Sequence, residues 1–300
     1  MNRAQEKPGK VRPKDVRRRF DRAAATFDAA DFVHRHAAKG LYERMSPMLV
    51  NVTRILDAGA ATGSAGRELA RRYRGSHVIS LDHSLEMLKE AKKGRSRFAR
   101  VSELQADATA LPLLPGSIDL VFANMLLPWI SDVSGVGDVG DVGRLFQELN
   151  RVLRKDGLFV FSTLGPDSLR ELRQAWAEVD SGVHVNAFTD MHDVGDALIK
   201  AGMREPVLDV DYLTVTYRDP DALIGDLTLA GARNSLTERR HTLTGKQRFE
   251  DMKRALNSFR SDGSLACRLE LVFGHAWGGG PGQQPGEFRV DASRIGRRSR

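Results

Sequence analysis

The chain has 300 residues, 41% hydrophobic and 28% charged, which is ample for a core and excludes wholesale disorder and fibrous repeats. Its net charge of +7 sits at the ends: residues 1–22 hold nine Lys/Arg against three acids and residues 287–300 five against two, leaving 32 bases and 34 acids between them. No apolar run approaches the roughly 20 residues of a membrane span, the amino-terminal stretch lacks an apolar signal core, and the single Cys267 excludes an internal disulfide or a cysteine-rich zinc site, so a cytoplasmic protein without a metal is expected.

Residues 1–15, rich in Lys, Arg, Pro and Gly, read as a disordered basic tail. A helical cap is expected over 16–50, with Phe20, Ala23, Ala24, Phe27, Phe32, Leu41 and Met45 as its apolar positions. Strands and helices then alternate. The apolar run 54–59 is a short strand ending at a glycine turn, a helix follows over 64–73, and 77–82 is a second strand. Ser84 caps a helix that runs to Lys93. Strands at 103–107 and 117–124 follow, then a helix over 144–153 with Leu145, Phe146, Leu149 and Val152 on one face. Residues 157–163 form a fifth strand. Such βαβ repetition gives a doubly wound, mainly parallel α/β sheet with helices on both faces.

Beyond the fifth strand, Ser168–Glu171 has the pattern of a capping box that opens a helix. A short helix over 193–201 stops at Gly202, and 206–217 alternates as a strand. Asp219-Pro220 starts another helix, Thr244–Gln247 caps the next, and 265–277 is a long final strand before a Gly-rich linker. The helices within 219–262 interrupt the last two strands and read as a lid on a core spanning 51–218 and 263–277. Residues 278–300 read as a flexible basic tail. The triplet repeat in 134–143 (SGVGDVGDVG) reads as a loop.

The chemistry centres on Asp57-Ala58-Gly59-Ala60-Ala61-Thr62-Gly63. Gly59 and Gly63 allow a tight strand-to-helix turn that either serves only backbone geometry or brings a ligand to a helix N-terminus. The following strand ends favour the ligand. Asp82 ends the second strand, where a carboxylate can accept both hydroxyls of a ribose. Asp107-Ala108 follow the third, where an adenine needs an acceptor, and Asn124 follows the fourth. The glycine spacing lacks the G-x-G-x-x-G of a pyrophosphate cradle, and Asp57 suits an ammonium group. S-adenosylmethionine, with an amino-acid end and no phosphate, is the ligand that fits. The segment resembles the D-x-G-x-G-x-G motif of class I methyltransferases, with Ala61 in place of the middle glycine, and implies their Rossmann-like fold.

A closer resemblance covers residues 17–277. The segments 20–31, 161–176, 184–203 and 209–227, with GARN (231–234) and VFGHAWG (272–278), are similar to the malonyl-[acyl-carrier protein] O-methyltransferases of biotin synthesis. The resemblance implies a seven-stranded sheet, an N-terminal helical cap, and methyl transfer to the free carboxylate of malonyl-[acyl-carrier protein]. Phe27 stands where the family usually has tyrosine, and Leu127-Pro128-Trp129 where it tends to have Leu-Gln-Trp.

A carboxylate is ionised at pH 7, so positioning suffices and no catalytic base is expected. Phe27, Trp129, His184 and Arg233 are the candidate pocket residues, with Arg233 as the cation for the distal carboxylate. Trp129 either walls the pocket or packs in the core, and His184, with Asn186, either meets substrate or orders a turn. Because an acyl-carrier protein is acidic, Arg17, Arg18, Arg19, Arg22, Arg239 and Arg240 are either docking contacts or solvated faces. The alternatives are another small acid or a nucleic acid as acceptor, or a homologue that binds cofactor without turnover. The near-neutral body and the lack of a basic, aromatic-studded face speak against nucleic acid, and neither nucleic acid nor membrane is expected as a partner.

Overall fold

The computed structural model describes residues 10–48, 51–96, 99–130, 140–240, 242 and 244–279. Strands β1 (Arg54–Ala58), β2 (His77–Asp82), β3 (Val101–Gln105), β4 (Ile118–Asn124) and β5 (Leu153–Leu164) run parallel. After them come β6 (Arg204–Tyr217), the two-residue β7 (Arg260–Ser261) and β8 (Ser264–Trp277). The main sheet order is β3-β2-β1-β4-β5-β8-β6, with β8 antiparallel to both neighbours and β7 paired to β8. This is the Rossmann-like α/β sheet the motifs imply. Its strand order reverses between β1 and β4, and ligands of open α/β sheets bind at the carboxyl edge of such a reversal.

Helices α4 (Ser64–Arg72), α5 (Leu85–Lys93) and α6 (Asp141–Val152) connect the parallel strands. Central strand β4 carries a near-continuous apolar run because both its faces are covered: every residue but Asn124 is buried. Ser84 caps α5 by accepting the Met87 N–H. Helix α6 begins three residues earlier than its apolar face suggests, so Gly140–Gly143 belong to a helix start; the rest of the triplet-repeat loop lies outside the described residues.

The helical cap consists of three helices, α1 (Pro13–Ala23), α2 (Phe27–Ala30) and α3 (Phe32–Met45). The break follows from a tertiary contact: Thr26 Oγ1 donates to the carbonyls of Ala23 and Leu229. The expected tail 1–15 is corrected. Val11 is buried and bridges Leu236, Arg12 N–H donates to Ser235 O, and Pro13–Asp15 begin α1. Residues 1–9 and 280–300, the rest of the expected tails, lie outside the described residues.

Four more helices lie beyond β5: α7 (Arg170–Ala177), α8 (Met191–Lys200), α9 (Pro220–Leu229) and α10 (Lys246–Asn257). Asp219 caps α9 as its Asp-Pro start suggests, accepting from Ala222 N–H. The capping box at Ser168–Glu171 does not form. Leu169 is left-handed (φ +56°), so Ser168 turns its hydroxyl to the backbone of Glu270 on β8, at 3.0 and 3.1 Å. Thr244 does not cap α10 either, because Gly245 takes the cap position without a side-chain bond. Leu172, Ala175, Leu223, Met252, Leu256 and Leu265 form an apolar cluster of their own. It joins α7, α9 and α10 to one end of β8.

Candidate active site

The end of β1 turns on Gly59, whose φ of +78° needs no Cβ. Its N–H and that of Ala60 both donate to Leu81 O, at 2.8 and 2.9 Å, which locks the turn to β2. Ala61 carries φ +46°, the left-handed region in which a side chain is strained. Its N–H donates to Asp82 Oδ2 at 2.9 Å, and Ser84 N–H donates to Asp82 Oδ1 at 2.8 Å. Burial raises the pKa of Asp82, and the two bonds aim its carboxylate along the carboxyl edge.

A cavity of about 340 Å³ follows this edge, within the range of small-molecule sites. Gly59, Ala61, Asp82, Asp107, Ala108 and Asn124 line it, so residues from four successive strand ends meet in one place. Phe20 and Phe27 of the cap also line it. The cap is tied down twice: Ser84 Oγ donates to Asp21 Oδ1 at 2.6 Å, and Thr62 Oγ1 to Asp28 Oδ1 at 2.5 Å.

Two expected ligand groups sit elsewhere. Asp57 is enclosed behind the turn and is not among the cavity's lining residues. Burial first, then the nearby Asp82 charge, pushes its carboxyl up to about 7. Gly63 is also outside the lining; a Cβ there would lie 2.8 Å from Ala91 Cβ, so this glycine lets α4 pack on α5.

A second, larger cavity of about 660 Å³ lies between the sheet edge and helices α7, α9 and α10. Most of its wall is apolar, including Leu172, Trp176, Leu223, Phe249 and Met252. The two cavities share His34, Met125 and Trp129 as lining residues. Trp129 stands in a one-turn 3-10 helix after β4, edge-on to Phe20 with centroids 5.0 Å apart. Met125 holds φ +57°, a strained backbone at the junction. Asn124 spends its amide on this corner. Its Nδ2 donates to His34 O at 2.9 Å, and Ser162 Oγ donates to its Oδ1 at 2.7 Å.

The arginines divide. Arg19, Arg233, Arg239 and Arg240 line the larger cavity. Arg239 pairs with Asp15 at 2.6 Å, and Arg19 donates to Asn234 O at 2.5 Å. Desolvation, with Arg239 and Arg233 close by, lowers the pKa of Arg19. Arg17 lines the smaller cavity and pairs with Asp21 at 3.7 Å. Arg18 is exposed beside Asp15, and Arg22 is exposed.

His184 lines the larger cavity, but its ring is stacked on Trp176 at 3.7 Å and its Nε2 meets Asp180 Oδ1 at 2.7 Å. That pairing is enough to order the turn. Among the described residues no three His, Cys, Asp or Glu come together to hold a metal. Reading the sequence missed His34 and Met125. A histidine in a helix and a non-glycine residue in left-handed backbone carry no local signal; only the packing of α3 on β4 reveals them.

The family model described as "Methyltransferase domain" matches residues 56–161. The chain is 42% identical over 268 residues to the malonyl-[acyl-carrier protein] O-methyltransferase of Methylovorus sp. (strain MP688), covering 87% of this chain and 88% of that one. It is 40% identical over 270 residues to the same-named protein of Gallionella capsiferriformans (strain ES-2), covering 88% and 90%. Among solved structures, a putative methyltransferase of Bacillus halodurans superposes with a TM-score of 0.54 at 16% identity, covering 79% of this chain and 97% of that one. The complex of the Haloferax volcanii Trm112 methyltransferase activator with its putative methyltransferase gives 0.53 at 18%, covering 88% and 97%. These two share the fold.

Proposed function

The chain belongs to the malonyl-[acyl-carrier protein] O-methyltransferase family, and from that premise we propose that it methylates the free carboxylate of a malonyl thioester on acyl-carrier protein. S-adenosylmethionine is the cosubstrate and supplies, when bound, an electrophilic methyl group on a sulfonium centre. The observation that carries the reading is the shared wall of His34, Met125 and Trp129 between the two cavities. A donor in the smaller cavity and an acceptor in the larger one meet there.

The residues present fit the cosubstrate. Asp82 is aimed by two N–H bonds to take the ribose hydroxyls. Gly59 lines the smaller cavity with no Cβ to obstruct a close approach; a Cβ there would also crowd the Leu126 side chain, at 3.2 Å. Phe27 and Phe20 cover the site from the cap. The chain's task is alignment and exclusion of water, which contributes roughly 7–11 kcal/mol when geometry is held. The acceptor oxygen is already ionised, so no residue moves a proton.

The helical insertion over 219–262 acts as a lid on the acceptor. Arg233 and Arg240, exposed at the larger cavity, draw the acidic acceptor in, while Arg239 and Arg19 hold the lid segment to α1. Arg17, Arg18 and Arg22 offer the carrier a basic face by long-range, salt-sensitive attraction. Esterification hides the charge, so the product resembles an ordinary fatty-acid primer and enters chain elongation towards biotin. A cytoplasmic location follows from that role; no helix among the described residues is long and apolar enough to cross a membrane.

The test is label transfer from methyl-labelled S-adenosylmethionine to malonyl-[acyl-carrier protein], beside acetyl-[acyl-carrier protein]. Label on the malonyl form alone, lost in Asp82→Ala, is expected. Equal labelling of both, or of neither, contradicts the reading.

A further inference from the structure

At the junction of the cavities the first turn of α3 presents an imidazole with no assigned task. His34 lines both cavities. Its Nδ1 is enclosed and meets no hydrogen-bond partner among the described residues, which leaves Nε2 as the nitrogen available to a ligand. The Phe27 ring stands 5.0 Å from the imidazole, tilted by 58°. The His34 carbonyl is anchored by Asn124 Nδ2, so the backbone behind the ring is fixed to β4. Burial pushes the imidazole pKa down to about 4, and near neutral pH the ring is uncharged with one N–H to donate.

The surroundings favour an anion. Helix α3 is 14 residues long, and its positive amino-terminal end lies at Phe32, Val33 and His34, which all line the larger cavity. The acids of this turn are engaged: Asp31 pairs with Arg35 at 2.7 Å, and Asp28 accepts from Thr62 at 2.5 Å.

We propose that the reacting carboxylate of the acceptor is seated on this turn, with His34 Nε2–H donating to the oxygen that does not attack. The inference rests on the malonyl reading above and places the carboxylate deeper than Arg233. One oxygen forms the bond to the methyl carbon as the carbon–sulfur bond breaks. The other becomes the ester carbonyl and keeps its hydrogen bond. The sulfonium and carboxylate charges disappear together, and no proton moves. A guanidinium in the same place would draw charge from the nucleophile and lose most of its attraction as the ester forms. A neutral N–H orients the carboxylate at less cost to its reactivity.

The experiment compares the full-length protein with His34→Gln, which keeps a neutral donor, and His34→Leu, which does not. Steady-state methylation of malonyl-[acyl-carrier protein] is read beside calorimetric affinity for S-adenosylhomocysteine. Binding of malonyl-pantetheine and acetyl-pantetheine to the protein–S-adenosylhomocysteine complex is read as well. The expected result is a loss of about 10- to 100-fold in kcat/KM for His34→Leu, the scale of one hydrogen bond to a charged group. Gln restores most of it, S-adenosylhomocysteine affinity is unchanged, and Leu erases the preference for malonyl- over acetyl-pantetheine. His34→Leu as active as wild type, Gln as deficient as Leu, or a loss of S-adenosylhomocysteine affinity overturns the proposal. Wild-type protein that prefers malonyl-pantetheine through His34 yet transfers no methyl refutes the proposed reaction while upholding the seat.

Discussion

The Ser84 hydroxyl donates to Asp21 across 2.6 Å, joining the first helix of the chain to the cap of the helix that follows β2. With the Thr62–Asp28 bond at 2.5 Å, it fastens the N-terminal helices to the two loops that line the smaller cavity. Ser84 itself lines that cavity, and both bonds must give way for the cap to lift.

Removing these ties therefore acts on the residence of the cosubstrate. Asp21→Ala and Asp28→Ala each remove a hydrogen bond worth about 0.5–1.5 kcal/mol. Each is expected to speed release of S-adenosylhomocysteine by about 2- to 10-fold, with association changed less. Stopped-flow fluorescence of Trp129, which lines the cavity, reads both rates; unchanged release would mean that the cap does not hold the ligand.

Ala61 is the strained point of the turn. Its left-handed backbone costs about 1 kcal/mol that glycine avoids. Ala61→Gly is expected to raise stability by up to ~1 kcal/mol in urea unfolding and to preserve cosubstrate affinity. A loss of stability would show that the methyl packing against the Phe27 cluster outweighs the strain.

Asp57 gives a pH signature. Burial and the neighbouring Asp82 charge push its folded pKa up to about 7, above the ordinary carboxylate range, so between those values the folded state holds a proton that the unfolded chain releases. Its contribution to stability is full at low pH and is lost as pH rises from about 4 to 7. Asp57→Asn removes that dependence. Thermal melts at pH 5 and pH 8 should show the variant gaining on wild type at the higher pH, by on the order of a few kcal/mol; equal shifts at both would refute the assignment.

The cavity arginines separate by their partners. Arg233→Ala removes an exposed cation and is expected to raise KM for the carrier substrate several-fold with kcat little changed, the effect fading in high salt. Arg239→Ala leaves the half-buried Asp15 with only the exposed Arg18 as its ion-pair partner among the described residues, removes the hydrogen bond that does most to hold its carboxyl low, and should also lower the melting temperature. Steady-state kinetics over a salt series, with melts in parallel, distinguish the two.

Strand ends were the legible part of this molecule. Gly59, Asp82, Asp107-Ala108 and Asn124 could be placed because turn residues and short apolar runs are local signals. Asp57 lies outside the lining of the smaller cavity, which the sequence does not show for a physical reason: after Arg54, β1 is buried on both faces, so alternation does not say which way a side chain points. Ser168 mimics a cap in sequence, yet its hydroxyl is claimed by β8 from 102 residues away. His34 and the broken cap helices depend on the same kind of long-range contact, as Thr26 reaching Leu229 illustrates.

The central claim is that a methyl group crosses from the smaller cavity to a carboxylate in the larger. Fragmentation mass spectrometry of the reacted malonyl-[acyl-carrier protein] tests it most directly, because the ejected acyl-pantetheine fragment reports where the methyl sits. A single methyl on the distal carboxylate oxygen, absent without S-adenosylmethionine, is predicted. A methyl on the malonyl carbon, on the carrier polypeptide, or nowhere would contradict the account.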